Sequence, residues 1–390
     1  MYKKKNTLLI LNILLGLSIL SLFYSCTQKQ SKSLNDWSFT PFIKQDKVNP
    51  VLEPLDSTEF LCPVRGSKVR WEEKDVFNPA AAVKDGKIYL LYRAEDIVGK
   101  LAGTSRIGIA ISKDGLTFIR HPKPILYPQN DEMKEFEWEG GCEDPRIVED
   151  ENGAFYMTYT AWNGDKAKLL IATSKDLFFW KKHGSVFEKA YGGKYTRIWS
   201  KSGSIVCRLE DDRLIATKIN GKYWMYFGDS NIYLAHSDDL INWIPVEYEN
   251  GVLRENSYDH SGDLSDLMPV LKPRKDKFDS DLVEPGPPAL ITKNGILFIY
   301  NSRNSKDYGD KTLPPGTYAA GQVLFDQDDP GKVLKRMDNY FFKPDKPYEI
   351  TGQINNVCFI EGLVHFKGKW FLYYGTADSK IAVATYCPVR

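Results

Sequence analysis

Two carboxylates, a guanidinium and a proline fill four consecutive positions in Gly140-Gly141-Cys142-Glu143-Asp144-Pro145-Arg146-Ile147-Val148. A lone Asp-Pro-Arg reads as a salt bridge at a strand edge; flanked by turn glycines and an apolar run, this density of charge points to a site that moves or holds protons. Proline fixes its own φ and pushes the residue before it toward extended geometry, so Asp144 is expected on a stiff, extended backbone. In that geometry Glu143 and Asp144 point to opposite sides, with Arg146 on the side of Asp144.

The elements that would position these groups are read from a repeat. Asp85-Gly86, Asn152-Gly153, Asn220-Gly221, Asn294-Gly295 and Lys367-Gly368 each lead into an aromatic and β-branched run such as Lys87-Ile88-Tyr89-Leu90-Leu91-Tyr92, a strong hairpin signal. The five glycines recur about every seventy residues, and several copies add a second strand and turn, as in Leu169-Leu170-Ile171-Ala172-Thr173-Ser174-Lys175-Asp176. No long stretch has helical period. Five such units must hide their sheet edges, and a closed ring does so. The expected fold is all-β, a five-bladed β-propeller. The strand before each turn would be innermost in its blade. Those strands carry Asn78-Pro79-Ala80, Glu143-Asp144-Pro145-Arg146, Lys201-Ser202-Gly203, Glu284-Pro285-Gly286-Pro287-Pro288 and Asn355-Asn356-Val357, so polar groups from all five would converge on one funnel.

The chain has 390 residues, 42% apolar and 26% charged, enough for a large core. A formal charge of +1 gives no reason to expect a nucleic-acid partner. Residues 1–26 read as an exported lipoprotein-type signal: Lys3, Lys4 and Lys5, then a nearly uncharged run from Leu8 to Tyr24, then Cys26 as lipid acceptor. This implies a membrane-tethered protein outside the cytoplasm, periplasmic or at the cell surface, with residues 27–60 as tether and leading segment and 61–390 as the propeller. The other five cysteines show no CxxC, and buried thiols are expected. The five histidines are scattered without carboxylate clusters, so no metal is expected, and no serine has a Gly-x-Ser-x-Gly setting.

Asn78-Pro79-Ala80, Tyr92-Arg93-Ala94, the Gly-Gly-Cys-Glu-Asp-Pro-Arg stretch, Pro285-Gly286-Pro287-Pro288 and Tyr373-Tyr374-Gly375-Thr376-Ala377-Asp378 resemble, in order, the motifs of glycoside hydrolase family 130. These are β-mannoside phosphorylases and β-mannosidases on a five-bladed propeller, and the likeness spans roughly residues 70–386. The resemblance implies that Asp144 is the general acid, its proton relayed through a sugar hydroxyl, and that Asn78, Arg93, Glu143, Arg146 and Asp378 hold the mannosyl ring, joined by Lys201 and Tyr318. No cofactor is implied. Burial and Glu143 would raise the Asp144 pKa while Arg146 opposes them.

The family's phosphorylases carry a His-Arg pair after the third-repeat strand and a His after the fourth. Here those places read Gly228-Asp229-Ser230 and Asn301-Ser302. Asp229 and Glu284 would repel phosphate, and either could act as general base on water. The expectation is an inverting β-mannosidase acting on β-manno-oligosaccharides, β-1,2 favoured over β-1,4, with acid and base about 6.5–9.5 Å apart. The bland alternatives are Glu284 paired with Lys293 or Arg303, and Asp229 as a turn residue. A phosphorylase using inorganic phosphate as co-substrate, held by Lys168, Arg197, Lys201 and Arg303, is the alternative activity, and a non-catalytic glycan-binding propeller the second. Residues 251–281 are a charged insertion that would border the leaving-group subsites.

Overall fold

The structure is a computed structural model in which residues 37–98, 101, 103–248 and 264–388 are described. The signal segment with Cys26, the tether as far as residue 36 and residues 249–263, which include the first part of the charged insertion, lie outside the described residues.

A two-residue strand β1 (Ile43–Lys44) and a hairpin of β2 (Leu55–Cys62) and β3 (Ser67–Glu72) precede the repeats. The first blade is β4 (Asp75–Lys84), β5 (Lys87–Glu95), β6 (Ser105–Ser112) and β7 (Ile119–Arg120), and the second is β8 (Gly141–Glu149), β9 (Phe155–Trp162), β10 (Ala167–Ser174) and β11 (Lys181–Ser185). In the third, β12 (Ser204–Glu210) carries a side hairpin with β13 (Arg213–Ala216) and is followed by β14 (Tyr223–Phe227), β15 (Ile232–Ser237), β16 (Trp243–Pro245) and β17 (Pro269–Leu271). The fourth splits its innermost strand into β18 (Leu282–Pro285) and β19 (Ala289–Thr292), both paired with β20 (Gly295–Arg303), then continues through β21 (Tyr318–Phe325) and β22 (Val333–Arg336). The fifth is β23 (Cys358–Phe366), β24 (Lys369–Thr376) and β25 (Lys380–Tyr386). Its outermost strand is β1, in antiparallel register Ile43↔Thr385 and Lys44↔Ala384. The expected five-bladed propeller is the fold, and the leading segment closes its ring.

Local chemistry explains the units. Asp85-Gly86, Asn220-Gly221 and Lys367-Gly368 all have positive φ at both positions, as a two-residue hairpin turn matched to strand twist requires. After the third strand of three blades, Ser112, Ser174 and Ser237 accept from the backbone N–H three residues on, and Asp114, Asp176 and Asp239 accept from the next two N–H groups. The recurring Ser-x-Asp thus satisfies backbone donors that the ladder leaves open. Helix among the described residues is confined to two four-residue turns, Lys134–Glu137 and Pro347–Ile350, and a few 3₁₀ turns.

Core side chains sit between neighbouring blades. Leu91, Ile107 and Ile109 of the first blade pack with Met157, Tyr159 and Leu170 of the second, and Tyr226 of the third lies 4.6 Å from Phe298 and 4.7 Å from Phe325 of the fourth, centroid to centroid. The closing strand is held by Lys44, whose Nζ lies 2.7 Å from Glu349 and 2.8 Å from Asp345. Cys62, Cys142, Cys207 and Cys358 are buried thiols.

Gly141 marks where two blades come closest. It bridges to Ser105 across the blade boundary, and a Cβ there would lie 2.1 Å from the Ser105 carbonyl oxygen, with φ at +119°. Gly141→Ala is therefore expected to destabilise by at least ~2 kcal/mol, read as a lowered thermal midpoint; an unchanged midpoint would contradict the close approach.

Candidate active site

Antiparallel blades place the starts of the innermost strands, the ends of the second strands and the starts of the third at one end of the ring. Asn78, Asp144, Ser202 and Glu284 come from the first set, Arg93, Asp229 and Asp378 from the second and Tyr318 from the third. Convergence at one funnel is thus a consequence of strand direction.

The innermost strands are not regular there. The β4–β5 register breaks between Phe77 and Pro79, and the β8–β9 register between Glu143 and Arg146. Asn78 and Asp144 sit at these breaks with φ of 47° and 50°. The extended backbone expected for Asp144 is therefore wrong. A β-bulge places it in the left-handed region, and an extra residue in the strand cancels the alternation that would have parted it from Glu143. Both carboxylates consequently face the same cation. Backbone strain of this kind typically costs about 1–3 kcal/mol and persists where surrounding contacts enforce it.

That cation is Arg93. Its Nη2 lies 3.0 Å from Glu143 and 2.7 Å from Glu95, its Nη1 3.3 Å from Asp144, its Nε donates to Ser105 Oγ at 3.0 Å, and its guanidinium lies over the Phe77 ring at 4.7 Å. Asn78 Nδ2 donates to Asp144 Oδ1 at 2.9 Å, while Asn78 Oδ1 has no partner among the described residues. Burial raises both acids, but unequally in net effect. Glu143 is pushed up to about 6 by burial, with Arg93 opposing and Asp144 adding. For Asp144, Arg93, Lys201 and the Asn78 hydrogen bond outweigh burial, so its carboxyl is held below the usual range. The competition between burial and neighbouring charge resolves toward an ionised Asp144.

Opposite stands Glu284 on β18, 6% exposed. Ser202 Oγ donates to it, and burial raises its carboxyl to about 7 against the pull of Lys201. Pairing with Arg303 does not occur, because Arg303 binds Asp281 at 2.5 Å and stacks on Tyr318. Asp229 accepts a hydrogen bond from Trp199 Nε1 at 2.7 Å, so it is tied to an aromatic wall that includes Trp162, 5.8 Å away in edge-on contact with Trp199. The Lys201 ammonium makes no hydrogen bond or ion pair among the described residues; burial lowers its pKa, but Glu284, Asp144, Glu143 and Asp229 together raise it. Asp378, next to Arg93, is raised to about 7 by burial, and the Tyr318 hydroxyl to about 12 by burial and Glu284.

Arg146 is not where the sequence reading puts it. It is 1% exposed and bonds inward, to backbone carbonyls and to Glu361, so it is unavailable to a ligand. Of the other cations kept as phosphate ligands, Lys168 donates to the Thr196 and Ile198 carbonyls and is lowered by burial to about 8, and Arg197 is exposed. Glu95, Ser105, Trp199 and Glu361 were missed, and Ser202 was named only within the third repeat's funnel segment. Glu95 was legible as the residue two on from Arg93, on the same strand face, and Glu361 as a single charge in an apolar innermost strand. Trp199 carried no local signal.

The arrangement sets six carboxylates, Glu95, Glu143, Asp144, Asp229, Glu284 and Asp378, around Arg93 and Lys201. It can bind a neutral polyhydroxylated ligand and transfer protons to and from it. No cluster of His, Cys, Asp and Glu suited to a metal ion occurs among the described residues.

Comparison with known proteins gives one consistent result. A glycoside hydrolase family 130 model, described as beta-1,4-mannooligosaccharide phosphorylase, matches residues 56–388. A 1,2-beta-oligomannan phosphorylase of Thermoanaerobacter sp. (strain X514) is 34% identical over 88% of this chain and 96% of its own length. A glycosyl hydrolase structure from Bacteroides ovatus is 45% identical with a TM-score of 0.86, covering 92% of this chain and 97% of that one. A further structure with the same identity, TM-score and coverages comes from work describing glycoside hydrolases within this family of mannoside phosphorylases that target beta-1,2 mannosidic linkages in Candida mannan.

Proposed function

Because this chain belongs to glycoside hydrolase family 130, we propose that it cleaves β-linked manno-oligosaccharides with inversion, transferring the mannosyl group to water. The single observation that carries the choice of water over phosphate is the charge around Glu284. A phosphate dianion beside the anomeric carbon needs several cations aimed at one point. Among the described residues Lys201 is the one funnel cation whose side chain has no direct partner, and Glu284 and Asp229 flank it. A water molecule is compatible with that setting, and a carboxylate near 7 is matched to deprotonating it.

In the proposed sequence Arg93, Asn78, Glu143 and Asp378 hold the mannosyl hydroxyls. Sugar binding displaces water and occupies Arg93 and Asn78, weakening what keeps Asp144 ionised while its burial remains; Asp144 then takes up a proton and delivers it through a sugar hydroxyl to the glycosidic oxygen. Glu284 accepts the proton of the attacking water on the opposite face, with Asp229 as the alternative base. The β-1,2 linkage is favoured, in keeping with the relatives whose names or descriptions specify it. Export with a lipid on Cys26 is proposed from residues 1–26 alone.

A second reading, phosphorolysis releasing mannose 1-phosphate, is favoured by the names of the family model and of the two Thermoanaerobacter relatives, which are phosphorylases. Lys201 would then hold the phosphate. Titrating phosphate into a mannobiose assay separates the two. Hydrolysis predicts a rate indifferent to phosphate and no sugar phosphate; a rate proportional to phosphate establishes the second reading.

A further inference from the structure

Arg146 lies beneath the site, where three blades meet. Its Nε donates to the Gly286 carbonyl at 2.8 Å, its Nη2 to the Pro285 carbonyl at 2.6 Å and its Nη1 to the carbonyl of Asp144 at 3.2 Å. One planar cation therefore bonds the backbone of the acid and the backbone directly after Glu284. The fourth blade is built to receive it. Proline cannot donate to a ladder, so Pro285, Pro287 and Pro288 interrupt the innermost strand between β18 and β19 and free its carbonyls. Gly286 lets the chains close up, since a Cβ there would lie 2.8 Å from the Ile299 oxygen and 3.1 Å from the Ile360 oxygen.

The fifth blade supplies the counter-charge. Glu361 is fully buried at a register break in β23, with Oε1 2.9 Å from Arg146 Nη2. Neither of its oxygens has a hydrogen-bond partner of good geometry among the described residues. Asn301 fixes the neighbouring peptide, donating to the Ile360 carbonyl at 2.9 Å and accepting from the Ile360 N–H at 2.7 Å. A buried ion pair is weak evidence for stability as such. Three carbonyl bonds, one to Asp144 and two to the residues directly after Glu284, mark a different use.

We propose that Arg146, backed by Glu361, is a positioning residue that sets the separation of Asp144 from Glu284 across the funnel through the Asp144, Pro285 and Gly286 carbonyls. The proposal rests on the reading of Asp144 and Glu284 as acid and base. The rigid fork is essential to it, because an ammonium of equal charge cannot hold three carbonyls in one plane.

The test is steady-state kinetics of the purified protein on mannobiose. Arg146→Lys keeps the charge and loses the fork; kcat is expected to fall about 100-fold with KM within about threefold, the signature of misplaced reacting groups. Its pH profile should stay in place. Arg146→Met also removes a charge that lowers the Glu284 carboxyl, so the acid limb of its profile should move to higher pH. If Arg146→Met does not fold, Glu361 carries the comparison. Glu361→Gln can still accept from Nη2 and should keep kcat within about twofold, whereas Glu361→Ala releases the guanidinium and should lower kcat as Arg146→Lys does. Wild-type kcat in Arg146→Lys, or equal effects of Gln and Ala at 361, would overturn the proposal. Wild-type turnover that requires phosphate would instead show that the base assignment has failed.

Discussion

Replacing Asp144 with asparagine is expected to lower kcat on mannobiose by about three orders of magnitude, within the range for a positioned general acid. The loss should be selective. A sugar leaving group needs a proton as its bond to the anomeric carbon breaks, while an aryl leaving group of low pKa departs as the anion. The Asp144→Asn protein should therefore lose far less on an activated aryl β-mannoside than on mannobiose. Folding should survive, because an Asn oxygen can still accept from Asn78 and Arg93, which now meet Asp144 at 2.9 and 3.3 Å. Parallel assays on the two substrates with a thermal melt check this. Equal loss on both would assign Asp144 to binding, and no activity in the wild type would leave a glycan-binding propeller.

The second large effect belongs to Glu284. Glu284→Gln is expected to reduce kcat by about 10²–10⁴-fold on both substrates, since water must be activated whatever the leaving group. It should also remove the acid limb of the pH profile. The base works ionised; with its carboxyl raised to about 7, kcat/KM of the wild type should fall as pH drops through about 7. Asp378, near 7, and Glu143, near 6, titrate close by, so the difference between wild-type and Glu284→Gln profiles is the informative quantity. Lys201→Met should move the limb upward, because Lys201 pulls the Glu284 carboxyl down. An acid limb unchanged in Glu284→Gln would pass the role of base to Asp229.

The ring was legible because its information is local and repeated. Asp85-Gly86, Asn220-Gly221 and Lys367-Gly368 specify left-handed turn backbone, and five copies at one period leave few architectures. The funnel followed from strand direction, so membership of Asn78, Arg93, Glu143, Asp144, Glu284 and Asp378 could be read with it. What failed was orientation. Alternation along an extended strand separates Glu143 from Asp144, yet the bulge brings them to one guanidinium. A bulge depends on pairing with β9, which is not written in the four residues concerned. Arg146 was misassigned for the converse reason. Its motif marks it as important, but its partners are carbonyls from residues 285 and 286 and a carboxylate at 361, reached only after the ring closes. The protonation of Asp144 was equally out of reach, since burial and neighbouring charge oppose each other and only distances decide.

The most direct measurement follows β-1,2-mannobiose turnover by proton NMR in phosphate-free buffer and records the first anomer released. An inverting hydrolase with Asp144 and Glu284 on opposite faces of the sugar releases α-mannose, which then mutarotates. First appearance of β-mannose, or turnover only when phosphate is added and mannose 1-phosphate forms, would contradict it.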